Sequence, residues 1–286
     1  MNEFDRSTFL KGLGAGVVSA AGSSAVIHTS SSRDGMVDTA VLRAVSVRCY
    51  AAELYARMAV RPTRQRRSLI EVLIYALVEQ DIWDRLDGFY VMAAHDIQAA
   101  RLNWVGCMQD LTSVNGPVFE VDSGFEGDGV SSYLDSCTLG PELENFKPND
   151  ATMGIFCNDT PASRGGLDIG LPGSYLIASS QAGDTQLRAN YNTHDPIRVP
   201  RKRTGDNLIA WSRWRDRVQV YEAGSRLMEA SIDSEDILNQ SLKVLMVDGN
   251  YSVRRVSAVI VGGALSSEQH AVMYSALAAY LRGVSN

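Results

Sequence analysis

Three carboxylates within seven residues raise the first question of chemistry. Glu120, Asp122 and Glu126 stand in Glu120-Val121-Asp122-Ser123-Gly124-Phe125-Glu126. Alternating acids on one strand are what glycosidic bond cleavage uses, because a retaining mechanism needs two carboxyl groups about 5 Å apart. If 120–126 ran as one extended strand, Glu120 and Glu126 would be separated by about 20 Å, too far for that pair. Gly124 and Gly127 point instead to a turn. The better sequence reading is an acidic corner, in which Asp122, Glu126 and Asp128, with Asp135 further on, offer the hard oxygen ligands that calcium takes. Their spacing matches no EF-hand. Calcium is thus the one cofactor the residues allow.

Other chemistry is sparse. The four histidines, His28, His95, His194 and His270, form no HExxH pair, and no GxSxG elbow occurs. His95 beside Asp96 reads as a satisfied cap or interface group. Cys49, Cys107, Cys137 and Cys157 contain no CxxC and read as free thiols. Aromatic and basic residues are more suggestive. Trp211 and Trp214 alternate with Arg213, Arg215 and Arg217, and Tyr191-Asn192 lies in a polar loop. Aromatic faces between cations stack on sugar rings, so Tyr191, Asn192, Trp211 and Trp214 are the expected glycan contacts. Arg61, Arg64, Arg66 and Arg67 cluster on one turn, and Arg201 and Arg203 on another. These six are expected at an interface, paired with the acidic body (118–159) of a neighbouring copy.

The elements that must position these residues fall into two textures. Up to Trp104 the apolar spacing is helical. Helices are expected over 37–60, ended by Pro62, and over 66–79, with Thr63 as N-cap; a third, short one is expected over 81–94. Beyond Trp104, β-prone runs alternate with Gly, Asn, Asp and Pro at intervals that fit a sandwich. They are 118–121, 131–134, 151–157, 174–179, 187–191, 207–211, 217–222, 226–232, 242–247 and 256–262. Glu222-Ala223-Gly224-Ser225 reads as a hairpin turn. Ser266 and Gln269 form a capping box for a C-terminal helix. No alternation of strand and helix calls for a parallel sheet.

Composition narrows the classes. The 286 residues are 45% hydrophobic and 21% charged, values of a folded chain rather than a disordered one. Net charge is -6, which argues against dedicated nucleic-acid binding. No apolar run reaches 18 residues, so no membrane span is expected. Residues 1–70 carry ten Lys/Arg against five Asp/Glu, so the remaining 17 bases face 28 acids. This basic N-terminal part includes Arg6-Ser7-Thr8-Phe9-Leu10-Lys11, similar to a twin-arginine export box with one arginine replaced. The region 1–36 reads as an arm that orders against a partner, or as a vestigial signal.

Leu86 to Trp104, Asp110 to Asn115, Phe125 to Asp135 and Ile260 to Ser266 together resemble segments shared by structural proteins of tailed phages and prophages. The resemblance covers about 82–286 and is weak over 140–215. It implies a concanavalin A-like jelly roll over 105–286 with a C-terminal helix, preceded by a helical subdomain over 37–104: a mainly β fold. It also implies a non-enzymatic tail, fibre or capsid-surface component located in the virion. Its partners would be other virion proteins and further copies of itself, and it could contact surface polysaccharide. The alternatives are a secreted carbohydrate-binding module and, less favoured, a glycoside hydrolase.

Overall fold

Helix formation begins where the sequence supplies a cap and an apolar stripe. In the computed structural model the described residues are 39–106, 109–157, 166–178, 184–191, 194–200 and 207–285. Helix α1 spans Thr39–Arg57 and buries Val47, Ala51 and Leu54. Helix α2 spans Arg64–Glu79, and Thr63 caps it by accepting the Arg66 N–H. Helix α3, Ser267–Val284, starts from the reciprocal capping box of Ser266 and Gln269. The expected arm 1–36 lies outside the described residues.

Among the described residues, seventeen strands make up most of the rest. In chain order the first nine are β1 (Leu86–Val91), β2 (Thr112–Val114), β3 (Val118–Glu120), β4 (Gly124–Glu126), β5 (Tyr133–Leu139), β6 (Asp150–Cys157), β7 (Ile169–Leu171), β8 (Ser174–Ile177) and β9 (Asp184–Ala189). Then come β10 (Ile197–Pro200), β11 (Asn207–Trp214), β12 (Arg217–Glu222), β13 (Ser225–Ser231), β14 (Ser241–Val244), β15 (Met246–Val247), β16 (Asn250–Tyr251) and β17 (Arg255–Gly262). Fifteen of them form two large antiparallel sheets, and β15 pairs with β16 alone. One runs β13-β12-β11-β6-β17-β4-β3, with β1 also paired to β17; the other runs β10-β9-β8-β7-β14-β5-β2.

The expected helix over 81–94 is corrected. Only Trp83–Arg85 makes a helical turn, and Leu86–Val91 is strand β1, antiparallel to β17 in the eight-stranded sheet. A short apolar run that is buried on both faces has no period to mark it as strand or helix. The helices are therefore joined to the sheet directly, with Asn103 at the joint. Its Oδ1 accepts the Phe89 N–H at 3.0 Å and its Nδ2 donates to the Asp87 carbonyl at 2.9 Å. Trp104 fills the joint as expected, edge-on to Phe89 and Tyr280.

Burial separates the two sheets. In the eight-stranded sheet, β11 is buried from Asn207 to Arg213 and β6 from Ala151 to Cys157, so both faces are covered. Helix α3 supplies part of the roof: His270 stacks on Tyr221 of β12, with ring centroids 3.8 Å apart, and its Nε2 lies 2.8 Å from Ser212 Oγ of β11. The turn from β12 to β13 holds Ala223 and Gly224 at positive φ, as the hairpin reading requires. The seven-stranded sheet is different. Strand β9 alternates half-buried with buried residues, as β14 does, and β10 alternates exposed with buried ones. One face packs inward and the other meets solvent.

Candidate functional site

The open face of the seven-stranded sheet carries one transverse row of side chains. Register places Arg188 of β9 opposite Tyr175 of β8, Tyr175 opposite Gly170 of β7, Gly170 opposite Lys243 of β14, Lys243 opposite Asp135 of β5, and Asp135 opposite Thr112 of β2. Residues directly opposite in a sheet point to the same side. All of these apart from Gly170 are half-buried or exposed.

Gly170 leaves a gap in the row. At φ +143 it adopts backbone that side chains avoid, and a Cβ there would lie 2.3 Å from the Ser174 carbonyl oxygen and 2.7 Å from Tyr175 Cβ. The missing side chain floors a trough between Tyr175 and Lys243. A cavity of about 200 Å³ opens beside it, lined by Gly170, Pro172, Gln240, Ser241, Lys243 and Asp248 among others but not by Tyr175. On the far side of the trough the Arg188 guanidinium lies 5.9 Å from the Tyr175 ring centre. Burial pushes the Tyr175 phenol up, against the pull of Arg188, which keeps it a neutral hydroxyl. An aromatic platform, a cation on either side, and amide and hydroxyl groups at the rim bind polyhydroxylated rings: the platform takes their apolar face and the polar groups their hydroxyls.

The residues singled out in the sequence lie elsewhere. Trp211 and Tyr191 are wholly buried, so neither has a face to offer a sugar. Trp211 stacks edge-on to Phe146, and the Tyr191 hydroxyl accepts the Ile197 N–H at 3.2 Å. Trp214 is 42% exposed, with the Arg85 guanidinium over its ring at 5.2 Å, as the Arg188 guanidinium is over Tyr175. Asn192, Arg201 and Arg203 lie outside the described residues. Arg61, Arg64 and Arg67 are exposed, whereas Arg66 is committed within its own chain, 2.5 Å from Asp122 Oδ1. The arginine meets the acidic body as expected, but in cis.

The acidic corner is also resolved. Residues 118–126 fold back as the β3–β4 hairpin, with Glu120 opposite Gly124, so the extended-strand separation does not apply. Glu120 and Glu126 converge on opposite ends of the Arg255 guanidinium, Glu126 at 2.6 Å. A cation fills the space that a substrate would need. Asp128 accepts the N–H groups of Ser131, Ser132 and Val130, which hold its carboxyl well below the usual range. Asp122, Glu126 and Asp128 thus each have their own donors, and they do not come together on a calcium. Among the described residues no group of three or more acidic, histidine or cysteine side chains could hold a metal ion. His95 is a satisfied group: its Nε2 lies 2.8 Å from the Val60 carbonyl oxygen.

No family model and no curated sequence matches the chain. Solved structures do. Domain 4 of AbnA, a GH43 extracellular arabinanase from Geobacillus stearothermophilus in complex with arabinotriose, is similar at 14% identity over 66% of this chain and 98% of that one, with a TM-score of 0.46. Trypanosoma rangeli sialidase is similar at 12% identity over 73% of this chain and 38% of its own, with a TM-score of 0.46. The HCR/D W1238A mutant is similar at 11% identity over 68% of this chain and 53% of its own, with a TM-score of 0.51. The chain therefore spans about two-fifths of the sialidase and about half of HCR/D. At these identities the likeness is one of fold.

The likeness corrects the expectation drawn from phage structural proteins. The similar solved structures named above are an arabinanase domain, sialidases and HCR/D, and none of these is a tail, fibre or capsid component. The expectations that hung on the phage resemblance fall with it: a role without chemistry, assembly with virion proteins and with further copies, and a place in the virion. What stands is the mainly β, two-sheet sandwich with helices before it and a helix after it. Among the described residues no helix is long and apolar enough to cross a membrane.

Proposed function

We propose that this chain is the glycan-engaging sandwich of a carbohydrate-processing protein, and that the open face of the seven-stranded sheet receives the sugar chain. The two sheets, eight and seven strands wide with helices roofing one of them, are read as a concanavalin A-like jelly roll. The observation that carries the functional reading is the register that sets bare Gly170 between Tyr175 and Lys243, with a cavity beside it lined by Gly170, Gln240, Ser241 and Lys243. A closed hydrophobic pocket would favour an apolar ligand. A shallow trough with one aromatic wall and a polar rim favours a sugar chain lying across the strands. The Arg255-bridged pair of Glu120 and Glu126 takes no step in this reading, since its carboxylates face a cation and not a cleft.

The test is titration of the full chain with a panel of defined oligosaccharides, followed by calorimetry and by reducing-end release in the same samples. Tyr175→Ala removes the platform and should weaken binding about tenfold, the scale of one lost stacking contact. Tyr175→Phe keeps the ring and should bind nearly as the parent does. Equal binding by parent and Tyr175→Ala would remove this face from consideration, and binding of no oligosaccharide would end the reading.

A further inference from the structure

Away from the sugar face, three neighbouring turns expose apolar tips among arginines. We infer that this corner binds the surface of an anionic phospholipid bilayer, an inference that does not depend on the glycan reading.

The turns are laced together by hydrogen bonds. The α1–α2 turn meets the 94–98 loop through His95, whose Nε2 lies 2.8 Å from the Val60 carbonyl oxygen. Gln98 adds two bonds, its Oε1 accepting the Ala59 N–H and its Nε2 donating to the Arg57 carbonyl, each at 2.9 Å. The β3–β4 turn joins the same loop, where the Asp122 N–H donates to the Ala94 carbonyl at 3.0 Å. Arg66 closes the triangle from α2 through its pair with Asp122. Each turn holds one large apolar side chain in solvent: Val60 is 50% exposed, Ile97 47% and Val121 55%. Single exposed apolar residues are ordinary on a protein, but three on hydrogen-bonded neighbours make a patch. They stand on tips of turns and not around a pocket. A fluid interface conforms to such tips, whereas a protein partner would need matching hollows.

Cations flank the tips. Arg61 follows Val60, and Arg64 and Arg67 stand one turn apart on the same face of α2. All three are exposed, and among the described residues their side chains make no hydrogen bond or ion pair. Arg101 lies beside Ile97, its Nε donating to that residue's carbonyl at 3.3 Å. The acids of the corner are engaged. Glu71, one turn beyond Arg67, accepts the Tyr55 hydroxyl at 3.3 Å; Asp96 accepts the Gln98 and Ala99 N–H groups; Asp122 faces Arg66. Arg66 included, five arginines stand against these three acids, an excess of two. Adding Glu120 and Glu126, which share Arg255 on the hairpin strands, leaves an excess of one. The distinguishing feature is availability, since the exposed arginines are the ones without partners. Guanidinium groups grip phosphate in bidentate fashion, and lipid headgroups present phosphate at the depth where the valines and the isoleucine would enter. The chain as a whole carries -6, so attraction to an anionic surface must come from this corner.

The experiment is co-sedimentation of the full chain with vesicles, at about 0.1 and about 0.5 M NaCl. One set is phosphatidylcholine alone, the other three parts phosphatidylcholine to one part phosphatidylglycerol. The anionic vesicles should bind at least tenfold more tightly than the neutral ones, and less tightly at the higher salt. Val60→Ser, Ile97→Ser and Val121→Ser combined should weaken this binding about a hundredfold, since each half-exposed side chain adds roughly fivefold on insertion. Arg61→Gln, Arg64→Gln and Arg67→Gln combined should lose at least tenfold on anionic vesicles, and the matching lysine variant should keep most of it. Val72→Ser, on an exposed apolar residue further along α2, and Tyr175→Ala should both bind vesicles as the parent does. Circular dichroism of the combined variants confirms the fold. Binding to neither vesicle, or binding that survives the combined serine variant, overturns the inference. So does a heparin oligosaccharide that binds as tightly as anionic vesicles and is lost on the arginine substitutions alone, since the partner would then be a soluble polyanion. None of these outcomes touches the glycan reading, which Tyr175→Ala tests on oligosaccharides.

Discussion

His270 is the residue whose environment makes the sharpest solution prediction. It is buried under Tyr221 with Nε2 on Ser212, and Ser212 Oγ lies 3.0 Å from Thr152 Oγ1 and accepts the Leu265 N–H. Burial pushes its pKa down to about 3 from an ordinary 6.5. In the folded state the ring stays neutral while the unfolded chain takes up a proton, so the unfolded form binds more protons between those two values. Stability is therefore full above pH 6.5 and falls as the pH drops toward 3, by about 2 kcal/mol at pH 5. Urea unfolding at pH 7 and pH 5 measures this. His270→Phe, which keeps a ring against Tyr221 but cannot protonate, should lose most of the difference. The window from pH 5 to 6.5 lies above the range where carboxylates with depressed values, such as Asp216 and Glu268, begin to contribute. At this scale the sequence misleads about aromatics. Trp211 looks like a sugar platform because it alternates with arginines, but it shares with Arg213 the face of β11 turned to the other sheet, where Trp211 packs on Phe146 and Arg213 Nε donates to the Ala189 carbonyl of β9. Tyr175 and Lys243 draw no attention, because the row that joins them crosses six strands and exists only in the register.

Elements were legible where a local signal defines them. The Thr63 cap, the Ser266–Gln269 box, the Glu222–Ser225 turn and most of the long strands lie where the residues put them, because caps, turns and apolar runs act over a few positions. Strand β1 escaped because its identity depends on β17, some 170 residues further on. The β12–β13 turn also shows how an element can be locked by another. Gly224 has φ 73, and a Cβ on it would meet Ala271 Cα of α3 at 2.8 Å, whereas at Gly116, with φ 63, a Cβ would meet nothing within 4 Å. Gly116→Ala should cost about 1 kcal/mol, for backbone strain alone. Gly224→Ala should cost more, roughly 2–3 kcal/mol, because helix α3 must also move away from the turn. Thermal unfolding of the two variants gives the comparison, and equal losses would mean that α3 does not press on the turn.

At the scale of the whole molecule the two sheets are tied by a buried charge pair. Asp168, just before β7, meets Arg254, just before β17, at 3.0 Å, with both side chains 1% exposed. The same carboxylate accepts Ser252 Oγ at 2.6 Å and the Ala178 N–H at 2.7 Å. Asp168→Ala strips the arginine of its carboxylate in the interior and should cost about 3–5 kcal/mol, read from denaturant midpoints. Neither partner was marked in the sequence, since Asp168 and Arg254 are 86 positions apart and each stands in an unremarkable polar stretch.

The helical roof over the eight-stranded sheet has a consequence for how copies of this protein would crowd along a polysaccharide. With one side of the sandwich thatched, every bound copy must lie with the same side down, like tiles on a batten. Bridging two polymer strands would then demand a second gripping surface supplied from elsewhere.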